Sequence, residues 1–417
     1  MTERKRVLVY AQHLSGVGHH VRASALAAAL ARKHDVFFAH GGRTVPRPDP
    51  ERELEVVQLP GLFRGERGLE SVDSTRPIVD VLRERSAILR RAAARIKPDV
   101  VLVEHYPFSK WELTEEVDAL FEAAAAANPK GRRISSVRDV SPRTRHEATS
   151  PEDYAQRVVQ TLNRSFSALL IHADPAFTRL EEHFAAASEI EIPVIYTGFV
   201  SEATQRPTRA ETGAARERRQ LREVGGFAIL SCGGGAGSFE TVSQVARAWR
   251  RLAESGASEG RTLVIFAGLF WSDDEFAALR VQTRDGPFLL KSFSRDFLDW
   301  MREADLSISR AGYNTCVNIL AARCRALLLP NPQMSDQGFR AQRLAELGLA
   351  ASLPATGSDV DALAAQIRAA LQCERPSHGF DLGGAERTCA LIEPITNLGR
   401  LEANITASLR QGRSGAK

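Results

Sequence analysis

Short apolar runs rich in Val, Ile, Leu and Phe alternate along most of this chain with stretches whose apolar positions recur at helical spacing. In the first half the runs predict strands at Arg6–Ala11, Val36–His40, Glu55–Leu59, Val100–Glu104, Ile134–Val137, Leu169–His172 and Val194–Thr197. Amphipathic stretches near 20–33, 77–96, 112–127, 151–165 and 175–187 predict the intervening helices. Ser150-Pro151 and Asp174-Pro175 each place a capping side chain before a first-turn proline, a helix-start signal. Strands that are apolar throughout and joined by helices predict a parallel sheet covered on both faces.

A second alternating series follows a polar, Arg- and Glu-rich stretch at 201–224, which reads as a linker or a surface helix. Its strands fall at Ala228–Cys232, Leu263–Ala267, Phe288–Leu290, Leu306–Ser309, Ala326–Leu329 and Ala351–Leu353. Its helices fall near 239–255, 274–283, 295–303, 313–323, 337–347 and 359–372. The expected fold class is therefore α/β, with two doubly wound Rossmann-like domains, 1–200 and 225–375, facing a cleft at the carboxyl ends of their sheets. Residues 376–417 predict helices at Gly384–Ile395 and Leu398–Leu409, then a polar end from Arg410 to Lys417.

Composition narrows the class. A length of 417 residues needs more than one core. A hydrophobic content of 43% and a charged content of 25% describe a globular chain of net charge only +4, rich in Arg. Cys232, Cys316, Cys324, Cys373 and Cys389 are odd in number and lack zinc spacing, so they predict reduced thiols. No apolar run approaches the roughly 20 residues that span a bilayer, and the start runs straight into a short strand. A cytoplasmic protein is expected, with peripheral membrane contact left open. The Arg-rich segments at 83–95 and 206–222 are interleaved with acids and apolar residues, which predicts solvated faces rather than nucleic-acid binding.

Candidate chemistry gathers at predicted strand ends. Gly16-Val17-Gly18-His19-His20-Val21-Arg22 follows the first strand and opens a helix. It is not a dinucleotide fingerprint, because Val21 holds the third glycine position and the second strand ends in Ala39-His40-Gly41-Gly42 without an acid. The pair of histidines offers a general base near neutral pH, and the bland alternative is a glycine turn with a solvated histidine. Glu104 and His105, with Arg138 and Asp139, end two further strands of the same half. Arg138-Asp139 could equally be a structural ion pair.

In the second half, Gly233-Gly234-Gly235 and Ser238 lie on a strand-to-helix turn that lacks the Lys-Ser/Thr of a Walker loop. Ser309-Arg310-Ala311-Gly312-Tyr313-Asn314-Thr315 forms a second such turn, and Ser335-Asp336-Gln337 opens the helix after the next strand. Helix N-termini present unpaired N–H groups and the positive end of a dipole, so these turns suit an anion or a polyol. Ordinary caps and first-turn acids are the alternative readings. No Asp-x-Asp sits at a strand end, and no metal motif occurs.

These motifs, in this order, resemble MurG-like glycosyltransferases of the GT-B fold, in the branch of predicted bacterial glycosyltransferases. The resemblance covers roughly residues 6–373 and is strongest over 305–348. It implies inverting, metal-independent transfer of a sugar from a nucleoside diphosphate donor, UDP-linked in most relatives, to an acceptor hydroxyl. It assigns the donor to the second domain through Gly233, Gly234, Gly235, Ser238, Arg310, Gly312, Asn314, Thr315, Asn318, Asp336 and Gln337. It assigns the acceptor to the first through Gly16, Gly18, Arg22, His105 and Arg138. No cofactor beyond the donor sugar nucleotide is implied. The base is His19 if the turn is aligned as Gly-x-Gly-His-x-x-Arg, a pattern shared with a related nucleotide-sugar hydrolase, and His20 if aligned on the His-Val pair of MurG. Asp139 and Glu104 are the other catalytic candidates. Asn318 stands where many relatives place a Glu for the donor ribose, which weakens the implied hydrogen bond to a diol. A hydrolase or 2-epimerase on the same fold, or a catalytically silent nucleotide-sugar-binding protein, are the alternatives.

Overall fold

The computed structural model describes residues 3–14, 16–44, 54–65, 68–139, 150–201, 212–234, 237–268, 270–353 and 359–397. The chain separates into two compact units. The first holds the residues up to Ser15, His19–Val200 and the residues from Gly383 on; the second holds Gly16–Gly18 and Ser201–Leu382.

In the first unit the strands are β1 (Arg6–Ala11), β2 (Asp35–His40), β3 (Glu55–Gln58), β4 (Leu62–Gly65), β5 (Gly68–Ser71), β6 (Val100–Glu104), β7 (Arg132–Arg138), β8 (Ala168–His172) and β9 (Val194–Tyr196). The helices are α1 (Gly18–Leu30), α2 (Ile78–Ile96), α3 (Thr114–Ala127) and α4 (Pro151–Ser165). Seven strands form a parallel sheet in the order β3-β2-β1-β6-β7-β8-β9. The central strands are apolar along their length because both faces are covered: Val7, Leu8, Val9, Val100, Leu102 and Ile134 have almost no exposure. Chain order reverses at the neighbours β1 and β6, so a crevice opens at their carboxyl ends, where open α/β sheets bind ligands.

The second unit contains α5 (Gly213–Glu223), β10 (Phe227–Ser231), α6 (Phe239–Glu254), β11 (Thr262–Phe266), α7 (Asp273–Thr283), β12 (Phe288–Lys291) and α8 (Phe297–Glu303). It continues with β13 (Leu306–Ser309), α9 (Tyr313–Ala322), β14 (Ala326–Leu328), α10 (Ser335–Glu346), β15 (Ala351–Ser352) and α11 (Val360–Gln372). Its six strands are parallel in the order β12-β11-β10-β13-β14-β15, and the reversal falls between β10 and β13. Trp249 from α6 and Trp300 from α8 are fully buried in it.

The chain then returns to the first unit as α12 (Gly384–Thr396). Cys389, Ile392 and Ile395 of this helix pack into the same core as Val7, Leu30 and Leu170. The entry is tight: Gly384 donates its N–H to the Phe199 carbonyl at 3.0 Å, and a Cβ at Gly384 would lie 2.3 Å from the Gly198 carbonyl oxygen.

Two local expectations change. The 175–187 stretch is not an α-helix but two short 3-10 turns, Leu180–Glu182 and Ala185–Glu189. Side chains take the N–H groups that an α-helix would need: Arg179 donates to Glu182 Oε1 at 2.8 Å and Leu180 to the Tyr196 hydroxyl at 2.7 Å. Beyond the expected strand at Glu55–Leu59, the chain adds an antiparallel pair, β4–β5, that the apolar pattern does not predict. The polar stretch before β10 takes the helical one of its two expected forms, α5, capped by Thr212 through the Ala215 N–H. The helix expected at Leu398–Leu409 lies outside the described residues. No helix among the described residues is long and apolar enough to cross a membrane.

Candidate active site

Because β1 and β6 run side by side in register (Val7 beside Val100, Tyr10 beside Val103), the turn after β1 and the last residue of β6 meet. That last residue is Glu104, with no solvent exposure. His19, in the first turn of α1, places Nδ1 at 2.7 Å from Glu104 Oε1. Arg22, one turn further, donates Nη2 to the same oxygen. Lys110 donates Nζ to Glu104 Oε2, and to the Glu104 backbone carbonyl at 3.2 Å. One carboxylate thus receives an imidazole and two cations.

Burial alone would push Glu104 upward in pKa, but His19, Lys110 and Arg22 hold it well below the ordinary carboxylate value. An ionised carboxylate only accepts hydrogen bonds, so His19 donates from Nδ1 and its Nε2 carries the lone pair. Burial lowers His19 to about 4, with the Lys110 and Arg138 charges adding and Glu104 opposing. His19 is therefore neutral at pH 7, and its side chain is still 24% exposed. This is the geometry of a base with one nitrogen anchored and the other open.

The loop that delivers Lys110 is held in uncommon backbone. His105 and Lys110 have φ of 60° and 68°, in the left-handed region that non-glycine residues seldom adopt. His105 is buried, its ring centroid lies 5.2 Å from that of His19, and its Nδ1 has no hydrogen-bond partner among the described residues. Its pKa is pushed well below 6.5 by burial and then by the Arg138 charge. Beneath the site His172 is fully buried, with Nε2 at 2.7 Å from Ser136 Oγ and Nδ1 at 2.8 Å from Thr197 Oγ1. Burial lowers it to about 3.

His20 points elsewhere. Only 6% exposed, it packs between Phe38, His40 and His13, with ring centroids at 5.6, 4.8 and 5.2 Å. Burial, then His40 and His13, lower it to about 3. Asp139 is buried just beyond β7, and the half-buried Arg138 ends that strand. Gly16 and Gly18 form the turn into α1; a Cβ at Gly16 would meet nothing within 4 Å.

In the second unit the two motif turns leave β10 and β13, the strands at the reversal. Gly233 and Gly237 have φ of 75° and 67°, which glycine tolerates without strain. Gly234 accepts from the Phe270 N–H at 2.9 Å, and a Cβ there would touch the Phe270 ring at 3.1 Å. Gly235 lies outside the described residues. Ser238 accepts from the Trp271 indole at 3.0 Å. Gly312 caps α9 without a side-chain cap, and Tyr313, Asn314 and Thr315 form its first turn, with Asn318 on its second. A Cβ at Gly312 would meet nothing nearer than Thr315 Oγ1 at 4.0 Å.

Some of the motif side chains are engaged within the unit. Arg310 donates to the Leu329 carbonyl at 2.9 Å and to Thr241 Oγ1 at 2.7 Å, tying the end of β14 to α6. Asp336 is buried and paired with Arg340 at 2.7 Å; Arg340 also donates to the Ala311 carbonyl at 3.3 Å. Gln337 Oε1 accepts from the Asn331 N–H at 3.0 Å, shaping the loop after β14. These residues brace the turns, while the backbone N–H groups of the first turn of α9 point outward from its start. Among the described residues no group of three His, Cys, Asp or Glu could hold a metal ion.

The structure adds residues that motif reading passed over: Lys110 on Glu104, and Thr241 and Arg340 behind the α9 turn. A lysine in a loop carries no signal of burial. Arg340 sits four residues after Asp336, the spacing of a helical ion pair, and could have been found that way.

Residues 232–376 match the glycosyltransferase family 28 C-terminal domain. No curated protein matches the chain in sequence closely enough to count as a relative. Among solved structures, TcCGT1 in complex with UDP is similar at a TM-score of 0.59 and 11% identity, over 95% of this chain and 94% of that one. The glycosyltransferase VinC in complex with dTDP is similar at 0.53 and 15%, over 94% and 95%. MurG of Acinetobacter baumannii is similar at 0.50 and 14%, over 94% and 99%. The two doubly wound sheets are thus those of the GT-B fold. Residues 232–376 thus carry a glycosyltransferase family 28 C-terminal domain, in a chain whose two sheets have the GT-B fold.

Proposed function

We propose that this glycosyltransferase moves a sugar from a nucleoside diphosphate, UDP in the first instance, to a hydroxyl of a small-molecule acceptor, inverting the anomeric carbon and requiring no metal ion. The observation that carries this reading is the pairing of His19 Nδ1 with the buried, ionised Glu104 at 2.7 Å. His19 Nε2 takes the acceptor proton as the acceptor oxygen bonds to the anomeric carbon. The bond from that carbon to the diphosphate breaks, and the nucleoside diphosphate leaves with the electron pair. Glu104 stabilises the imidazolium so formed.

We assign the donor to the second unit. Its two helix starts, α6 after the glycine run and α9 after Gly312, offer N–H groups and dipole ends to the leaving diphosphate. The similar structures that hold UDP and dTDP support a pyrimidine nucleotide. The acceptor belongs to the first unit, beside His19, His105 and Arg138. A second reading is a nucleotide-sugar hydrolase, in which His19 activates water; the Gly16-x-Gly18-His19-x-x-Arg22 pattern, with Arg22 anchored on Glu104, favours it as the runner-up.

Isothermal titration with UDP, dTDP and GDP, followed by product analysis of UDP-sugars with and without a panel of acceptor alcohols, tests the proposal. UDP binding and acceptor-dependent glycoside formation with an inverted anomer are expected. Release of free sugar that no acceptor redirects would establish the hydrolase reading, and absence of binding by all three nucleotides would sink both.

A further inference from the structure

We propose that Lys110 is a positioning residue of the reaction, acting through Glu104 to lock the His19 tautomer and to oppose protonation of that imidazole. The inference rests on the reading of His19 as the base.

The geometry divides the carboxylate. Oε1 faces His19 and Arg22, whereas Oε2 faces the Lys110 ammonium, which also reaches the Glu104 carbonyl at 3.2 Å. With both oxygens taken, the carboxylate cannot turn to present a different edge to His19. Lys110 itself is 7% exposed and sits at φ 68°, so the fold holds an ammonium in dry surroundings and in strained backbone to make these two contacts. A solvated lysine would need neither.

The charges around the imidazole give the second half of the argument. Glu104 favours the imidazolium, whereas Lys110 and Arg138 oppose it, and the neighbouring His105 is neutral. Burial is the larger cause of the neutral imidazole, and a second cation beside Glu104 offsets the pull of that carboxylate toward a His19–Glu104 ion pair. With Lys110 in place the carboxylate orients His19 yet leaves it free to accept the acceptor proton.

The test is an NMR titration of imidazole nitrogens in the unliganded protein labelled in its histidines, with the His19 signal assigned from its loss in His19→Asn. In the parent protein His19 is expected as the Nδ1–H tautomer, with a midpoint below pH 5. A midpoint near the ordinary 6.5, or the opposite tautomer, overturns the proposal before any variant of Lys110 is made. Lys110→Met should raise the midpoint by about 1–2 pH units, and Lys110→Arg should restore it. Lys110→Gln, which keeps a donor to Oε2 without the charge, serves if the methionine variant does not fold, and should also raise it. A midpoint unmoved in folded Met or Gln variants overturns the proposal. Since no substrate is present, the titration separates failure of this inference from failure of the transfer reading, which turnover measurements decide.

Discussion

Acidification from pH 7 to pH 5 should cost the first unit several kcal/mol of stability through histidines that the fold keeps neutral. His172 is fully buried and His20 nearly so, and each is lowered to about 3. In the unfolded chain an imidazole titrates near 6.5. Between those values the unfolded state binds a proton that the folded state refuses, so stability is complete above about pH 7 and is lost as pH falls toward 3. At about 1.36 kcal/mol per pH unit below 6.5, each residue contributes a loss of about 2 kcal/mol by pH 5. The pair accounts for about 4 kcal/mol, a large share of the roughly 5–15 kcal/mol typical of a domain. His19 and His105 act in the same direction. Glu104, held well below the ordinary carboxylate value, acts in the same direction, with most of its loss falling below this window. Amide hydrogen exchange of β7 and β8, read at both pH values, isolates the first unit in a two-unit chain whose bulk melt need not be two-state. His172→Gln keeps hydrogen-bonding capacity toward Ser136 and Thr197 and should lose about 2 kcal/mol less over the interval. Opening free energies that stay flat between pH 7 and 5, or a variant with the parent's slope, would refute the reasoning.

Three further outcomes follow from the same structure. His19→Ala should reduce turnover by roughly two to four orders of magnitude while leaving UDP affinity unchanged; His20→Ala, away from Glu104, should act mainly on stability, and an inactive but fully stable His20→Ala would transfer the base to that residue. Gly312→Ala should fold normally, since a Cβ there meets nothing within contact distance, whereas Gly312→Val should weaken UDP binding at least tenfold by crowding the start of α9; unchanged affinity in the valine variant would move the donor elsewhere. Turnover should survive EDTA, and loss restored by manganese or magnesium would contradict a reaction driven by helix dipoles and loop amides.

The parallel sheets were legible because a buried parallel strand has to be apolar on both faces, so β1, β6, β10 and β13 stand out as short unbroken runs. The candidate residues at their carboxyl ends could be placed there for the same reason. Local signals were less faithful. Ser150-Pro151 starts α4, with the Ser150 hydroxyl accepting from the Asp153 N–H at 3.0 Å. Asp174-Pro175 carries the same signal and starts no α-helix, because Glu182 and Tyr196 take the N–H groups that a helix would use. Lys110 was illegible. Its role depends on a left-handed backbone and on a carboxylate six positions earlier in a loop without periodicity. The Arg310 and Gln337 side chains could be picked out by spacing, but not the internal partners that occupy them; only Asp336 has its partner, Arg340, at a spacing the sequence shows.

The return of α12 has a consequence for how the protein is made. Its apolar face completes the core around Val7, Leu30 and Leu170, yet it is translated only after the whole of Ser201–Leu382. On the ribosome the core of the first unit can therefore be completed only after the second unit has been made, whereas the second unit can close as soon as it emerges. The order of completion is the reverse of the order of synthesis. A fragment ending near Val200 leaves that core incomplete and is a candidate for aggregation, whereas the same fragment supplied with α12 as a separate peptide or through a short graft should be rescued. The fit at Gly384, with no room for even a methyl group against Gly198, makes that docking step selective for the right register.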